Sequence, residues 1–292
     1  MFVTILTGNT SGVYYPLGVA LSQLFQEVMP EANIAVQATA ASAENLHLLQ
    51  AGRGEVGFTL GDVLSDAWDG RAEAGFTAPL TNLRAIAGLY SNYIQVVASD
   101  ASGVRTLADL KGKRISVGAP GSGTELNARA IVAAAGMSYD DFSKVEYLSF
   151  SESVELIKNR QLDVTLQSAG LGVASLRDLA ASLPIVVVPI PADVVRNVGR
   201  DVYRPAVIPA DTYDGQTEAV ETVAIQNVLV THEGVAESVV YRMTRAMFEH
   251  LDQLVAAHVA AKGISRDTAT QRLPVPLHAG AAEYYNEVGL PE

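Results

Sequence analysis

The first sixty positions alternate between short apolar, β-prone runs and stretches whose apolar residues recur every three to four positions. Residues 2–7 read as a strand. The turn GNTSG leads into a helix with Pro16 near its first turn and Leu17, Leu21, Leu24 and Val28 on one face, the spacing of a 3.6-residue period. Pro30, lacking an N–H, stops it. A strand over 34–37 follows, then a helix carrying Leu46 and Leu49 behind Ser42 as its N-cap, and Gly52 and Gly54 before a strand over 56–60. Strand, helix, strand, helix, strand describes a parallel sheet covered on both faces, because parallel neighbours need a crossover between them.

After a short helix at 63–68, extended segments are expected at 83–89 and 93–99, the second apolar enough to cross between two halves of the protein. A new α/β unit then begins, with a helical turn at 107–110, a strand at 114–117, the loop GAPGSG, and an Ala-rich helix over 124–135 that Gly136 ends. Strands at 145–148, 164–167 and 185–188 alternate with helices at 151–160 and 171–181. TVAIQNVLV (222–230) is extended again. The last helix, 235–258, places Val240, Met243, Met247, Leu251 and Leu254 on one stripe. The pattern predicts two α/β lobes, 1–98 with 223–292 and 99–222, joined by crossing strands. At 292 residues two cores are also the default, since a single core nears its practical limit at this length.

Composition narrows the function classes. With 20 Lys+Arg against 32 Asp+Glu the formal charge is -12, which argues against nucleic acid as a partner. The apolar share of 49% and charged share of 18% are those of a folded globular chain. The absence of cysteine excludes disulfides, thiolate catalysis and Cys-type zinc sites. The longest apolar runs, 130–135 and 185–190, fall far short of the ~18–20 residues that cross a bilayer. The strand-like 2–7 is no secretory leader, so the chain reads as cytosolic or as an exported protein whose leader has been removed.

Candidate chemistry gathers in four loops that follow strands, where open α/β sheets bind ligands: GNTSGVYY (8–15), TAASAEN (39–45), Gly61-Asp62 and GAPGSGTELN (118–127). Three of them open a helix, whose free N–H groups and positive end suit a small anion such as a carboxylate; none contains Arg or Lys. The structural alternative makes Ser42, Asp62 and Thr124 plain N-caps. Tyr14, Tyr15, Tyr90, Tyr93 and Tyr203 fall at strand ends or loops, where a phenol either meets a ligand or simply packs. Catalytic motifs fail. GAPGSGT lacks the Lys of a phosphate-binding loop, no G-x-S-x-G elbow occurs, and His47, His232, His250, His258 and His278 form no close metal-binding pair. The acidic stretches 218–221 and 140–141 read as solvated helix or turn faces.

The order of these motifs is more specific than any one of them. ILTGNTSGVYYPLGVAL, VQATAASAENLHLLQAGRGEVGFTLGD, ISVGAPGSGTELNA, TVAIQNVLV and VVYRMTRAMFEHL resemble, over nearly the whole chain, the TAXI family of extracytoplasmic solute-binding proteins that serve TRAP transporters. The resemblance implies a class II periplasmic-binding-protein fold, two α/β lobes joined by hinge strands with a ligand cleft between them. It also implies a monomer without cofactor, export behind a leader that this chain lacks, and a TRAP-type permease as partner. The solute would be a small carboxylate: glutamate, glutamine, 2-oxoglutarate or a related dicarboxylate. Carried over residue by residue, the site comprises Ser11, Gly12 and Tyr14, then Thr39, Ser42 and Asn45, then Asp62, and across the cleft Ser122, Gly123 and Thr124, with Tyr90, Gln167 and Tyr203 at its margin. One carboxylate would accept from the N–H groups of Gly123 and Thr124 and the hydroxyls of Ser122 and Thr124, while Ser42, Asn45 and the Gly12 region hold the other end. Asp62 either welcomes an ammonium group or caps its helix, in which case a diacid fits better. A transferase or synthase on the same bilobal fold, and a ligand-sensing module for a receptor, are the alternatives.

Overall fold

A computed structural model describes residues 1–290; the last two positions of the 223–292 segment lie outside them. Two compact units divide the chain, Met1–Ser91 together with the chain from Gln226 onward, and Asn92–Ile225. In the first, β1 (Phe2–Leu6), α1 (Tyr14–Val28), β2 (Asn33–Gln37), α2 (Ser42–Gln50), β3 (Val56–Leu60) and α3 (Gly61–Asp69) alternate as the apolar periodicity predicts. β1 pairs in parallel with β2 on one side and β3 on the other. All five residues of β3 are buried, which is why its run is continuously apolar apart from Gly57 and Thr59. Leu17, Leu21 and Leu24 of α1 are buried as expected, but Val28, at the last turn, is largely exposed.

The chain passes into the second unit within β4 (Leu83–Ser99), one continuous strand rather than the two segments expected. The unit continues with β5 (Arg114–Ser116), α4 (Gly123–Ala134), β6 (Lys144–Glu146), α5 (Phe150–Lys158), β7 (Val164–Ala169), α6 (Ala174–Ser182), β8 (Ile185–Val188), α7 (Ala192–Asn197) and β9 (Arg204–Ile208). β7 is flanked by β4, antiparallel, and by β5, parallel; β5 pairs onward with β6, and β8 lies along the other edge of β4. β9 pairs with the start of β10 (Val220–His232), so Glu221 lies in a strand and not on the solvated helix or turn expected.

β10 carries the chain back into the first unit, where Asn227 to Val230 pair antiparallel with β3. Beyond it the expected single helix over 235–258 is interrupted. At His250 the backbone leaves the helical region (φ -131°, ψ 40°), separating α8 (Glu237–Glu249) from α9 (Leu251–Ala257). Val240, Met243, Met247 and Leu254 are buried across this break. α10 (Ala279–Glu287) packs on α8 with Gly280 at the contact, where a Cβ would lie 2.1 Å from the Glu237 carbonyl oxygen. Its Tyr284 and Tyr285 are among the largest fully buried side chains and stack edge and face on Phe248.

Candidate functional site

In the first unit one amide ties the loops after β1 and β2 to strand β3. Asn45, fully buried on α2, donates from Nδ2 to the carbonyls of Thr7 (2.7 Å) and Phe58 (2.8 Å) and accepts at Oδ1 from the Thr39 hydroxyl (2.6 Å). Thr39 Oγ1 also accepts from the Ala41 N–H at 3.0 Å. Ser11 is occupied in a similar way. Its N–H and hydroxyl both meet Asn9 Oδ1, at 2.9 and 2.6 Å, and the Gly12 N–H donates to the Asn9 carbonyl, closing the turn before α1. Thr39, Asn45, Ser11 and Gly12, expected to meet a ligand, spend these groups on positioning their own loops.

Tyr14 and Ser42 do come together. The Tyr14 hydroxyl donates to Asn227 Oδ1 (2.5 Å), its ring stacks on Phe58 at 5.0 Å, and Ser42 lies beside the phenol. Ser42 is not the N-cap it was expected to be. That position is Ala41, at φ 74°, and Ser42 as first helical residue turns its Oγ to accept from the Leu60 N–H (3.2 Å), at the start of α3. Burial pushes the Tyr14 phenol far above its ordinary range; the Ser42 side chain opposes this and the Asp62 charge adds to it. Asp62 is the second residue of α3, whose N-cap is Leu60, so it is a buried first-turn carboxylate and not the cap. Asn227 also donates from Nδ2 to the Tyr90 carbonyl (2.9 Å). The Tyr90 hydroxyl itself is buried with no hydrogen-bond partner among the described residues, and burial, then the neighbouring Tyr14, raise its pKa well above the usual value. Asn227 was not anticipated, although an amide in the apolar run TVAIQNVLV was the available signal.

The second unit builds its own cluster at the start of α4. Ser122 is the N-cap, its Oγ accepting from the Glu125 N–H (3.1 Å), so Thr124 is the second helical residue and not the cap. Gly118 makes room for that turn: at φ 99°, it passes where a Cβ would sit 2.7 Å from Thr124 Cγ2. β5 ends at Ser116 while β7 runs on to Ala169, and Thr124 Oγ1 takes up the N–H of Ser168 (3.4 Å) that a longer β5 would have paired. Gln167 is buried, its Oε1 accepting from the Ser175 hydroxyl (2.7 Å) and its Nε2 without a protein partner. The Tyr203 hydroxyl accepts from Asn127 Nδ2 (3.0 Å), a buried pair beneath the same helix. Glu125 is held by Arg129 at 2.7 Å. Apart from this paired Glu125 carboxylate, the polar groups of the first turn are neutral hydroxyls and backbone amides.

Among the described residues no group of three His, Asp or Glu side chains is arranged to hold a metal ion, and no helix is long and apolar enough to cross a membrane.

Solved structures share this architecture at low identity. The periplasmic binding protein BugD is 11% identical over 98% of this chain and 94% of its own, with a TM-score of 0.62. The alkanesulfonate-binding protein SsuA from Xanthomonas axonopodis pv. citri, solved with MOPS bound, is 16% identical over 100% and 94%, with a TM-score of 0.51. A putative L-cystine ABC transporter from Listeria monocytogenes is 11% identical over 91% and 98%, with a TM-score of 0.55. At identities this low the structural likeness shows the fold alone, the periplasmic-binding-protein fold that the motif order implied. The model of the NMT1-like family matches residues 5–289, so the chain belongs to the NMT1-like family.

Proposed function

We propose that this chain is an extracytoplasmic solute-binding protein that captures a small carboxylate and delivers it, unchanged, to a membrane permease. The observation that carries the reading is the uncharged donor set at the start of α4. Ser122 Oγ and Thr124 Oγ1 each already accept a backbone N–H, so the one hydrogen of each hydroxyl is left to donate. Beside them are the N–H groups of Gly123 and Thr124, which have no intrahelical acceptor at a helix start. Donors without a neighbouring cation favour a monoanionic carboxylate, held by charge-assisted hydrogen bonds.

The first unit carries its own buried polar cluster, Tyr14, Ser42, Tyr90 and Asp62. The two phenols are pushed toward the protonated form, the opposite of what a general base or an activated nucleophile requires. That supports binding over the transferase or synthase alternative. The permease is of the TRAP type in our reading, following the motif order; an ABC permease is the second reading, because one structural neighbour is a putative L-cystine ABC transporter.

A thermal-shift panel of L-glutamate, L-glutamine, 2-oxoglutarate and C4 to C6 diacids, with an alkanesulfonate and a phosphonate as comparators, tests this. Calorimetry on the hits is expected to give micromolar or tighter affinity at one site per chain, and mass analysis to return the ligand intact. Conversion of a bound compound overturns the binding-protein reading, and a response confined to sulfonate or phosphonate overturns the carboxylate assignment.

A further inference from the structure

We propose that Ser168, at the end of β7, is a ligand-contacting donor of the same α4 seat and tightens its grip on an oxyanion. This rests on the reading of the α4 start as a carboxylate seat. Ser168 is 5% exposed, and its hydroxyl has no hydrogen-bond partner among the described residues. Buried hydroxyls normally find one, so an orphan calls for an acceptor from outside the chain. Its backbone is pinned on both sides. The N–H donates to Thr124 Oγ1 at 3.4 Å, against the first turn of α4, and the carbonyl accepts from Asn92 Nδ2 at 2.9 Å. The hydroxyl therefore stands on a backbone held against the first turn of α4 and not free to shift toward another partner.

The chemistry around it selects the ligand group. Ser122 and Thr124 each present a hydroxyl hydrogen, the helix start presents its N–H groups and positive end, and Ser168 adds a third hydroxyl. A set of donors of this kind fits the oxygens of an anion and offers nothing to an ammonium. Gln167 contributes its orphan Nε2 from the opposite face of β7, since neighbouring strand residues alternate, and so does not share the role.

An orphan hydroxyl with a ligand duty has a signature that a packing hydroxyl lacks. Ser168→Ala removes a buried group that gains nothing from the ligand-free fold, so the melting temperature without ligand is expected to stay or rise, while affinity falls about 5- to 30-fold. The probes are L-glutamate and 2-oxoglutarate, titrated calorimetrically into the full chain and into Ser168→Ala, Ser168→Cys and Thr124→Ala. Ser168→Cys, close in size and a weak donor, is expected to fold and to lose affinity in the same direction. Unchanged affinity in both Ser168 variants, with Thr124→Ala weakened, overturns the role of Ser168 and leaves the seat standing. A ligand-free stability loss with unchanged affinity likewise overturns it. Unchanged affinity in all three variants removes the seat, and no binding of either probe to the unmodified protein removes the carboxylate reading together with the inference.

Discussion

Replacing Asn45 with alanine is expected to cost about 3–5 kcal/mol of stability, a large part of what a domain has to lose. The side chain is fully buried and satisfies the Thr7 and Phe58 carbonyls and the Thr39 hydroxyl at 2.6 to 2.8 Å. Alanine takes the amide from the Thr7 and Phe58 carbonyls, leaves the Thr39 hydroxyl only its 3.1 Å contact with the Thr7 carbonyl, and each buried group left short of a partner carries a desolvation cost of roughly 1–3 kcal/mol. The loss is local to the first unit. Trp68, the single tryptophan of the chain, lies in α3 of that unit and reports on it directly. Urea denaturation followed by Trp68 fluorescence should show a midpoint well below that of the unmodified protein. A loss under about 1 kcal/mol would mean that water replaces the amide, and that the loops after β1 and β2 are held to β3 by something else.

Thr124→Ala is expected to weaken solute binding roughly 10- to 100-fold, the size of one charge-assisted hydrogen bond lost at a buried site, while the protein still folds. The same change withdraws the acceptor of the Ser168 N–H, so a part of the effect could pass through β7. Thr124→Ser shows whether the hydroxyl, through both of its bonds, or the methyl group carries the loss. It keeps the hydroxyl and gives up only the methyl group, and is expected to stay within about threefold of the unmodified affinity. Equal losses in the two variants would assign the effect to packing by the methyl group and not to hydrogen bonding.

Much of the scaffold was legible because burial leaves periodicity behind. β3 and β8 begin and end where their apolar runs do, at Val56–Leu60 and Ile185–Val188. The elements that escaped lack that signal. β9 includes Pro205, is mostly exposed and is recognisable only through its pairing with β10. α10 reads AGAAEYYNE, and its small residues make sense only once Gly280 is seen against Glu237. The break at His250 has no proline or glycine to announce it.

The candidate site was legible in its loops and not in its roles. Ser42, Asn45, Leu46 and Leu49 share one buried face of α2, so two polar residues on an apolar face were visible as an anomaly. Whether those polar groups turn to a ligand or to the backbone depends on partners distant in sequence, such as Phe58 and Leu60. The cap positions slipped by one or two residues for a related reason. Ala41 and Leu60, which carry no capping side chain, hold the N-cap positions that residue preference assigns to Ser or Asp. Asn227 and Ser168 are single polar residues in strands, and a strand pattern does not say which of its polar positions is left without a partner.

The most direct measurement is a crystal structure of the full chain grown with L-glutamate. A carboxylate of the bound molecule is predicted to lie about 2.7–3.2 Å from the N–H groups of Gly123 and Thr124 and from the hydroxyls of Ser122 and Thr124. A ligand whose carboxylates are bound instead by lysine or arginine side chains, or that leaves the start of α4 untouched, would contradict the account.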